Sequence, residues 1–348
     1  MKGHPVSVAA LEELADSFLQ EQPANQPDML WHYTNAAGFL GILRSGKLWA
    51  THTDYLNDAS EMRYARRLLL DAVSDSRSSA QNDEEREMLN DFCNCIGSGM
   101  NRNVFVTSLS AAEDDLSQWR AYGGGTGSFA LGFHVSCMLV AIKENTETPF
   151  SLYKCIYEES TCKDLCRKFV DRMLEAFRKE QAKPRPGSDR HTVMTQLIQD
   201  AVEIFDKMAP MIKHPDFSSE NEWRLVCRDV DLKKLPIRLR EGKTEIIPYI
   251  ELTIAKDKTE PRFTVHTQVG PSIRHNPRNT NLALIWLLRR FHSRTVSDPT
   301  HQHTVSTRLK LQLYRSTDFS QSTSGMAAPR EDLSVPVRRL MTRFIGSV

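Results

Sequence analysis

The segment from Met29 to His52 constrains the fold of this chain more than any other, because it passes through three element signals with almost no connecting residues. The short apolar run MLWHY reads as a strand, and NAAGFLGILRSG reads as a helix capped by Thr34 and closed by Gly46. KLWATH reads as a second strand. A second dense block repeats the theme with the strand VFVTSL, the helix DDLSQWRAY, a glycine turn at Gly123 to Gly127 and the strand SFALGF.

Between these blocks, Asn57 or Asp58 with Glu61 forms a capping signal ahead of the helix EMRYARRLLLDAV. That helix carries a basic stripe of Arg63, Arg66 and Arg67, and a polar helical hairpin around residues 80 to 100 follows it. Long helices are expected over 159 to 181 and 190 to 209, separated by the exposed loop KPRPGSD. Strands follow at ENEWRLVC, near 245 to 255 and near 262 to 268, then a helix NLALIWLLRRF and a strand near 308 to 314. Strands and helices mix without a repeating βαβ rhythm, so the fold class is α+β. The expected organisation is an N-terminal helix and linker over 1 to 28 and one domain over 29 to 318, with a helical insertion at about 159 to 210. Residues 319 to 348 read as a poorly ordered tail rich in Ser, Thr, Gly and Pro.

A formal net charge of +1 over 348 residues supplies no overall field toward nucleic acid or an anionic membrane, so a partner has to be argued from local sites. The opening residues read as an amphipathic helix interrupted by Glu12, Glu13 and Asp16 rather than as a secretion signal. No window approaches the roughly 18 apolar residues of a spanning helix, and a cytoplasmic location without a membrane partner is expected. The seven cysteines follow no recognisable disulfide framework or zinc spacing, so no metal is expected.

Three segments hold residues suited to chemistry. His32 ends a strand beside a hydroxyl-bearing helix start, where an imidazole suits a ribose hydroxyl and a helix N-terminus suits a phosphate; equally, it satisfies a buried backbone group. Glu220 and Glu222 alternate with Asn221 at the start of an apolar strand and are expected on one face of it. A carboxylate there stabilises positive charge on a sugar as its leaving group departs. The competing reading is a solvated pair, or pairing with Arg224 or Arg228. In the third segment, Trp119 and Tyr122 read as core filling more readily than as a nicotinamide platform. Walker, nucleophile-elbow, kinase, zinc-protease and dinucleotide fingerprints do not occur.

In the order WHYT, GILRSGKLWAT, YLNDASEM, VFVTSLS, DDLSQWRAYGGGTG, DFSSENEWRLV, IPYIEL and VGP, the chain resembles the bacterial family of domain of unknown function 2971 over roughly 29 to 318. WHYTNAAGFLGILRSGKL also resembles the opening of DarT toxins, and NEWRLV resembles the catalytic strand of poly(ADP-ribose) polymerases. The resemblance to the ADP-ribosyltransferase superfamily implies mainly antiparallel split sheets flanked by helices and NAD as co-substrate. His32, Tyr33 and Thr34 would lie on the NAD, Glu222 would be the catalytic carboxylate, and Glu220 would orient an acceptor. Phe105, Ser108 and Tyr122 are candidates for the second-strand position on the cofactor, which does not align uniquely. The implied reaction is ADP-ribosyl transfer to an unknown protein or nucleic-acid acceptor, or NAD hydrolysis, as in toxin or phage-defence effectors, with Glu222→Gln inactive but folded. Its rivals are a non-catalytic nucleotide- or partner-binding module, and nucleic-acid binding through Arg63 to Arg67 and Arg289 to Arg294.

Overall fold

A computed structural model describes residues 8–20, 26–56, 59–98, 104–122, 128–146, 148–182, 189–228, 236–242, 244–254 and 265–270. The capping residues Asn57 and Asp58, the glycine turn, the loop between the two long helices, the expected helix 281–291 with its arginines, the strand 308–314 and the tail lie outside the described residues, apart from Asp189 at the loop's end.

The chain opens with α1 (Ala9–Gln20), β1 (Met29–Asn35), α2 (Ala36–Ser45) and β2 (Lys47–His52). Helices α3 (Ala59–Ser78) and α4 (Asp83–Ser98) lead to β3 (Phe105–Ser110), α5 (Leu116–Tyr122), β4 (Ser128–His134) and α6 (Val135–Glu144). Then come β5 (Phe150–Lys154), α7 (Glu159–Ala182), α8 (Arg190–Met208), β6 (Glu222–Cys227), β7 (Arg238–Glu241), β8 (Ile246–Thr253) and β9 (Val265–Val269). The architecture is α+β, with antiparallel strand pairs flanked by helices. It divides into two compact units, each assembled from three stretches of chain.

Unit 1 comprises Met1–Gln26, Trp49–Ser108 and Asn145–Glu251. Its strands run in the order β7, β8, β2, β3, with β6 also on β3 and β5 on the far side of β6. Helices α1, α3, α4, α7 and α8 bury one apolar stripe each in a common core that includes Leu11, Leu69, Phe92, Phe169 and Phe205. Each such side chain taken fully from water contributes about 1.5–3 kcal/mol. In α1, Leu11, Ala15, Phe18 and Leu19 recur at helical spacing and all four are buried, so this helix is part of the core. Helix α4 is tied to α7 by Glu85, whose carboxylate accepts from Arg178 Nε at 2.7 Å and NH2 at 3.0 Å.

Unit 2 comprises Pro27–Leu48, Leu109–Glu144 and the chain from Leu252. Here β1 pairs with β4 along its full length, from Met29 opposite His134 to Asn35 opposite Ser128, and β9 takes the other edge of β4. Ser110, at the end of β3, stands opposite Trp31. The start of α2 differs from expectation. Thr34 is still a strand residue, opposite Phe129, and Asn35 is the cap, its Oδ1 accepting the Gly38 N–H at 2.9 Å. The expected close is present: Gly46 adopts the left-handed φ of 67° and donates to the Ile42 carbonyl at 2.8 Å.

Candidate functional site

The carboxylate pair of the sequence lies in unit 1, where the chain leaves α8, turns through Ala209–Met211 and enters a 3-10 helix at Pro215–Glu220. Pro215 fits the first turn, and His214 caps it by accepting the Asp216 N–H at Nδ1 (3.3 Å). Asn221 then takes φ 43° and ψ 48°, a left-handed conformation that asparagine tolerates better than most residues, and the strand starts at Glu222. Glu220 therefore is not in the strand, and the expectation that alternation places both carboxylates on one strand face is corrected. They converge for a different reason: the tight turn at Asn221 brings both to one ammonium group. Lys213 Nζ donates to Glu220 Oε2 at 2.5 Å and to Glu222 Oε2 at 2.6 Å.

All six residues of β6 are buried. Arg224, two residues along the same face, donates from Nε to Glu222 Oε1 at 2.8 Å and from NH2 to Oε2 at 3.0 Å, and from NH1 to the Pro210 carbonyl at 2.6 Å. Lys213, Glu222 and Arg224 are only 2 %, 4 % and 2 % exposed, so this is a charge cluster inside the core. The Lys213 ammonium also lies 5.1 Å from the Phe217 ring centre. Tyr157 closes the arrangement, its hydroxyl accepting the Glu222 N–H at 2.9 Å.

Two cations face two carboxylates, which makes the burial tolerable. Burial alone pushes the Glu222 carboxyl up, but the Arg224 and Lys213 charges and hydrogen bonds outweigh it and hold the group below the usual glutamate range. Burial raises the Tyr157 phenol above its usual range, with Cys155 adding to it and the hydrogen bond from the Glu222 N–H opposing it. The result is a fixed anion, oriented by a guanidinium fork, in a dry setting where electrostatic effects are large. Of the two local readings of Glu222 from sequence, pairing with Arg224 is present in full. Arg228 instead reaches the Tyr153 hydroxyl (2.5 Å) and the Lys207 carbonyl (3.0 Å).

The other candidates divide between the units. Ser108 is half-buried on β3 in unit 1. In unit 2, His32 and Thr34 share the face of β1 on which α2 packs, with Phe39 of α2 stacked 4.7 Å from Phe129, the cross-strand partner of Thr34. His32 is half-buried there. Tyr33 points to the opposite face, where Trp31, Trp119 and Ala130 form a small buried cluster with Tyr122 packed against it. The Tyr33 hydroxyl donates to the Ala112 carbonyl at 2.8 Å and accepts the Asp115 N–H at 3.2 Å, and its ring meets Trp119 edge-on at 4.7 Å. Trp119 thus fills core, its indole N–H held by Asp114 at 2.8 Å.

A family model described as protein of unknown function (DUF2971) matches residues 118–225. The matched stretch begins inside α5 at Gln118 and ends inside β6 at Leu225, so it contains Tyr157, Lys213, Glu220, Glu222 and Arg224 as well as Trp119 and Tyr122. His32, Tyr33, Thr34 and Ser108 lie outside it. No curated protein and no solved structure matches the chain.

Lys213 and Tyr157 are the cluster members that sequence reasoning missed. The signal for Lys213 was a lone lysine directly after the apolar run Met208 to Ile212, but lysines so commonly sit at surfaces that the run by itself did not separate the two cases. Among the described residues, no group of three or more His, Cys, Asp or Glu side chains could hold a metal ion, and no helix is long and apolar enough to cross a membrane.

Proposed function

We propose that the protein is an NAD-dependent ADP-ribosyltransferase, or an NAD glycohydrolase if water is the acceptor, on an ADP-ribosyltransferase-like fold, with Glu222 as its catalytic carboxylate. The observation that carries this reading is the Glu222 anion at the opening of β6, held ionised by Lys213 and Arg224 with Glu220 on the same ammonium. In the reaction, the bond between nicotinamide and the ribose C1 breaks and nicotinamide leaves neutral with the bonding electron pair. The sugar carbon becomes positive, and a nearby carboxylate lowers the cost of that charge. The acceptor oxygen or nitrogen then bonds to C1 and gives up its proton. The resemblance to the superfamily assigns His32 and Thr34 to ribose hydroxyls of NAD.

A non-catalytic binding module is the second reading, favoured by a specific feature: both oxygens of Glu222 already accept from Arg224, and Oε2 also from Lys213. Contact with a sugar then requires Glu222 to release one of these donors. The deciding experiment is nicotinamide release by the purified protein, with its melting temperature recorded with and without NAD. Ligand at a hundredfold excess over its dissociation constant stabilises a protein by about 2.7 kcal/mol. Turnover that His32→Ala reduces supports the transferase reading, and a thermal shift without turnover supports the binding module. No turnover and no shift would overturn the transferase and an NAD-binding module alike, leaving a module that binds another partner.

A further inference from the structure

The hairpin of β7 and β8 terminates the unit 1 sheet, and among the described residues β7 pairs with β8 alone. Which backbone groups point out of this edge follows from the turn. Gly242 donates its N–H to the Glu245 carbonyl at 2.8 Å, so these two residues form a hydrogen-bonded pair. Antiparallel pairing alternates from there. Arg240 and Arg238, opposite Ile247 and Tyr249, are bonded to β8, whereas Leu239 and Glu241 turn their N–H and C=O groups away from it. Pro248, which has no N–H, stands opposite Leu239, where β7 requires no donor.

The two faces beside these outward groups differ in character. On one, Ile237 is 37 % exposed and Leu239 and Ile246 are each 66 % exposed. On the other stand Arg238, whose side chain is 57 % exposed and whose Nε pairs with Glu251 at 3.1 Å, leaving the rest of its guanidinium open to a ligand, and Arg240, whose NH2 donates to Thr51 Oγ1 at 3.2 Å while its buried Nε has no acceptor among the described residues. A strand edge that no described residue pairs with, flanked by exposed apolar side chains, is a template for another strand. A second copy of this chain fits it poorly. Antiparallel self-pairing centred on Leu239 sets Arg238 against Arg240, centring on Arg240 sets it against itself, and centring on Glu241 opposes two carboxylates. Like charges directly opposite are destabilising.

We propose that the β7 edge binds an extended segment of another protein in which acidic and apolar residues alternate, added to the sheet as an antiparallel strand. The Leu239 and Glu241 backbone groups supply its hydrogen bonds. Acidic side chains then lie opposite Arg238 and Arg240, and apolar ones opposite Ile237 and Leu239. This inference is independent of the NAD reading.

The test uses the full chain and two fluorescent heptapeptides, one alternating glutamate with valine and one alternating lysine with valine. The glutamate peptide is expected to bind about tenfold tighter or better, reflecting two favourable cross-strand charge pairs against two unfavourable ones. Arg238→Glu should invert that preference. Leu239→Pro removes an outward N–H without touching the ladder to β8 and should abolish binding, while Leu239→Ala, which keeps the N–H, should retain it. Melting temperatures establish that each variant is folded. Equal affinity for the two peptides, no binding of either, or unchanged binding by folded Leu239→Pro overturns the proposal. So does a dimer in sedimentation that Leu239→Pro dissolves, which would assign the edge to a second copy.

Discussion

Glu222 shows how burial and pairing compete at a single residue. Its carboxylate is satisfied because Arg224 and Lys213 accompany it into the core, and removing one member leaves the others buried and unbalanced. Breaking such a cluster from one side costs about 3–5 kcal/mol, whereas replacing the charged partners together by apolar groups is often nearly neutral. Glu222→Gln should therefore be strongly destabilised in urea titrations, and Glu222→Leu combined with Arg224→Met should recover much of the loss. This revises the sequence expectation that Glu222→Gln stays folded and merely inactive, so any activity measured on that variant has to be paired with its melting temperature. The sign of the pH dependence follows from the same contacts. Because the folded Glu222 holds its proton less tightly than an ordinary glutamate of pKa about 4.3, its contribution is complete above that value and is lost as pH falls toward the depressed folded value. Glu85, lowered by its hydrogen bonds from Arg178, acts in the same direction. Acid titration of stability should show a decline beginning near pH 4, less steep in the Glu222→Leu, Arg224→Met variant; equal slopes would place the acid sensitivity elsewhere.

At the scale of elements, α2 illustrates how a boundary is decided. Thr34 and Asn35 are both acceptable caps, but β1 pairs with β4 through Asn35 opposite Ser128, which keeps Asn35 extended, so helical dihedrals begin only at Ala36 and the capping role falls to Asn35. Asn35→Ala should cost about 1 kcal/mol. Gly38 carries a second constraint, since a methyl group there would run into Thr34 Oγ1. Gly38→Ala should cost about 1–3 kcal/mol through overpacking even though alanine is the better helix former. Both values are read from thermal or denaturant unfolding. Stabilisation by Gly38→Ala would mean that Thr34 rotates freely out of the way.

For the molecule as a whole, the two units are each stitched from three distant stretches of chain, so neither can be obtained by a single cut. The N-terminal helix looks dispensable by its position in the sequence, yet it buries Leu11, Ala15, Phe18 and Leu19 in the unit 1 core, where α1 packs on α7 and α8. Deleting residues 1 to 20 should lower the melting temperature sharply and expose apolar surface that binds hydrophobic dyes. A truncated chain that melts like the full one would show that α1 adds nothing to that core.

Most elements of the fold were legible because their periodicity is local. The strand runs of β1, β2, β3 and β4, the long stripes of α7 and α8 and the glycine closing α2 all follow from residues a few positions apart. Among the α-helices and strands of the described residues, three were not legible, for physical reasons. Helix α6 follows β4 without a breaking residue, β5 is only five residues long, and β7 is a charged edge strand with no buried alternation to read. The candidate site divides in the same way. The sequence by itself determined an α+β alternation and singled out Glu222 at a strand entry. Only the tertiary structure decided between Arg224 and Arg228 as its partner and brought in Lys213 and Tyr157, which reach Glu222 from other stretches of the chain, because electrostatic pairing depends on distance through space rather than spacing along the chain.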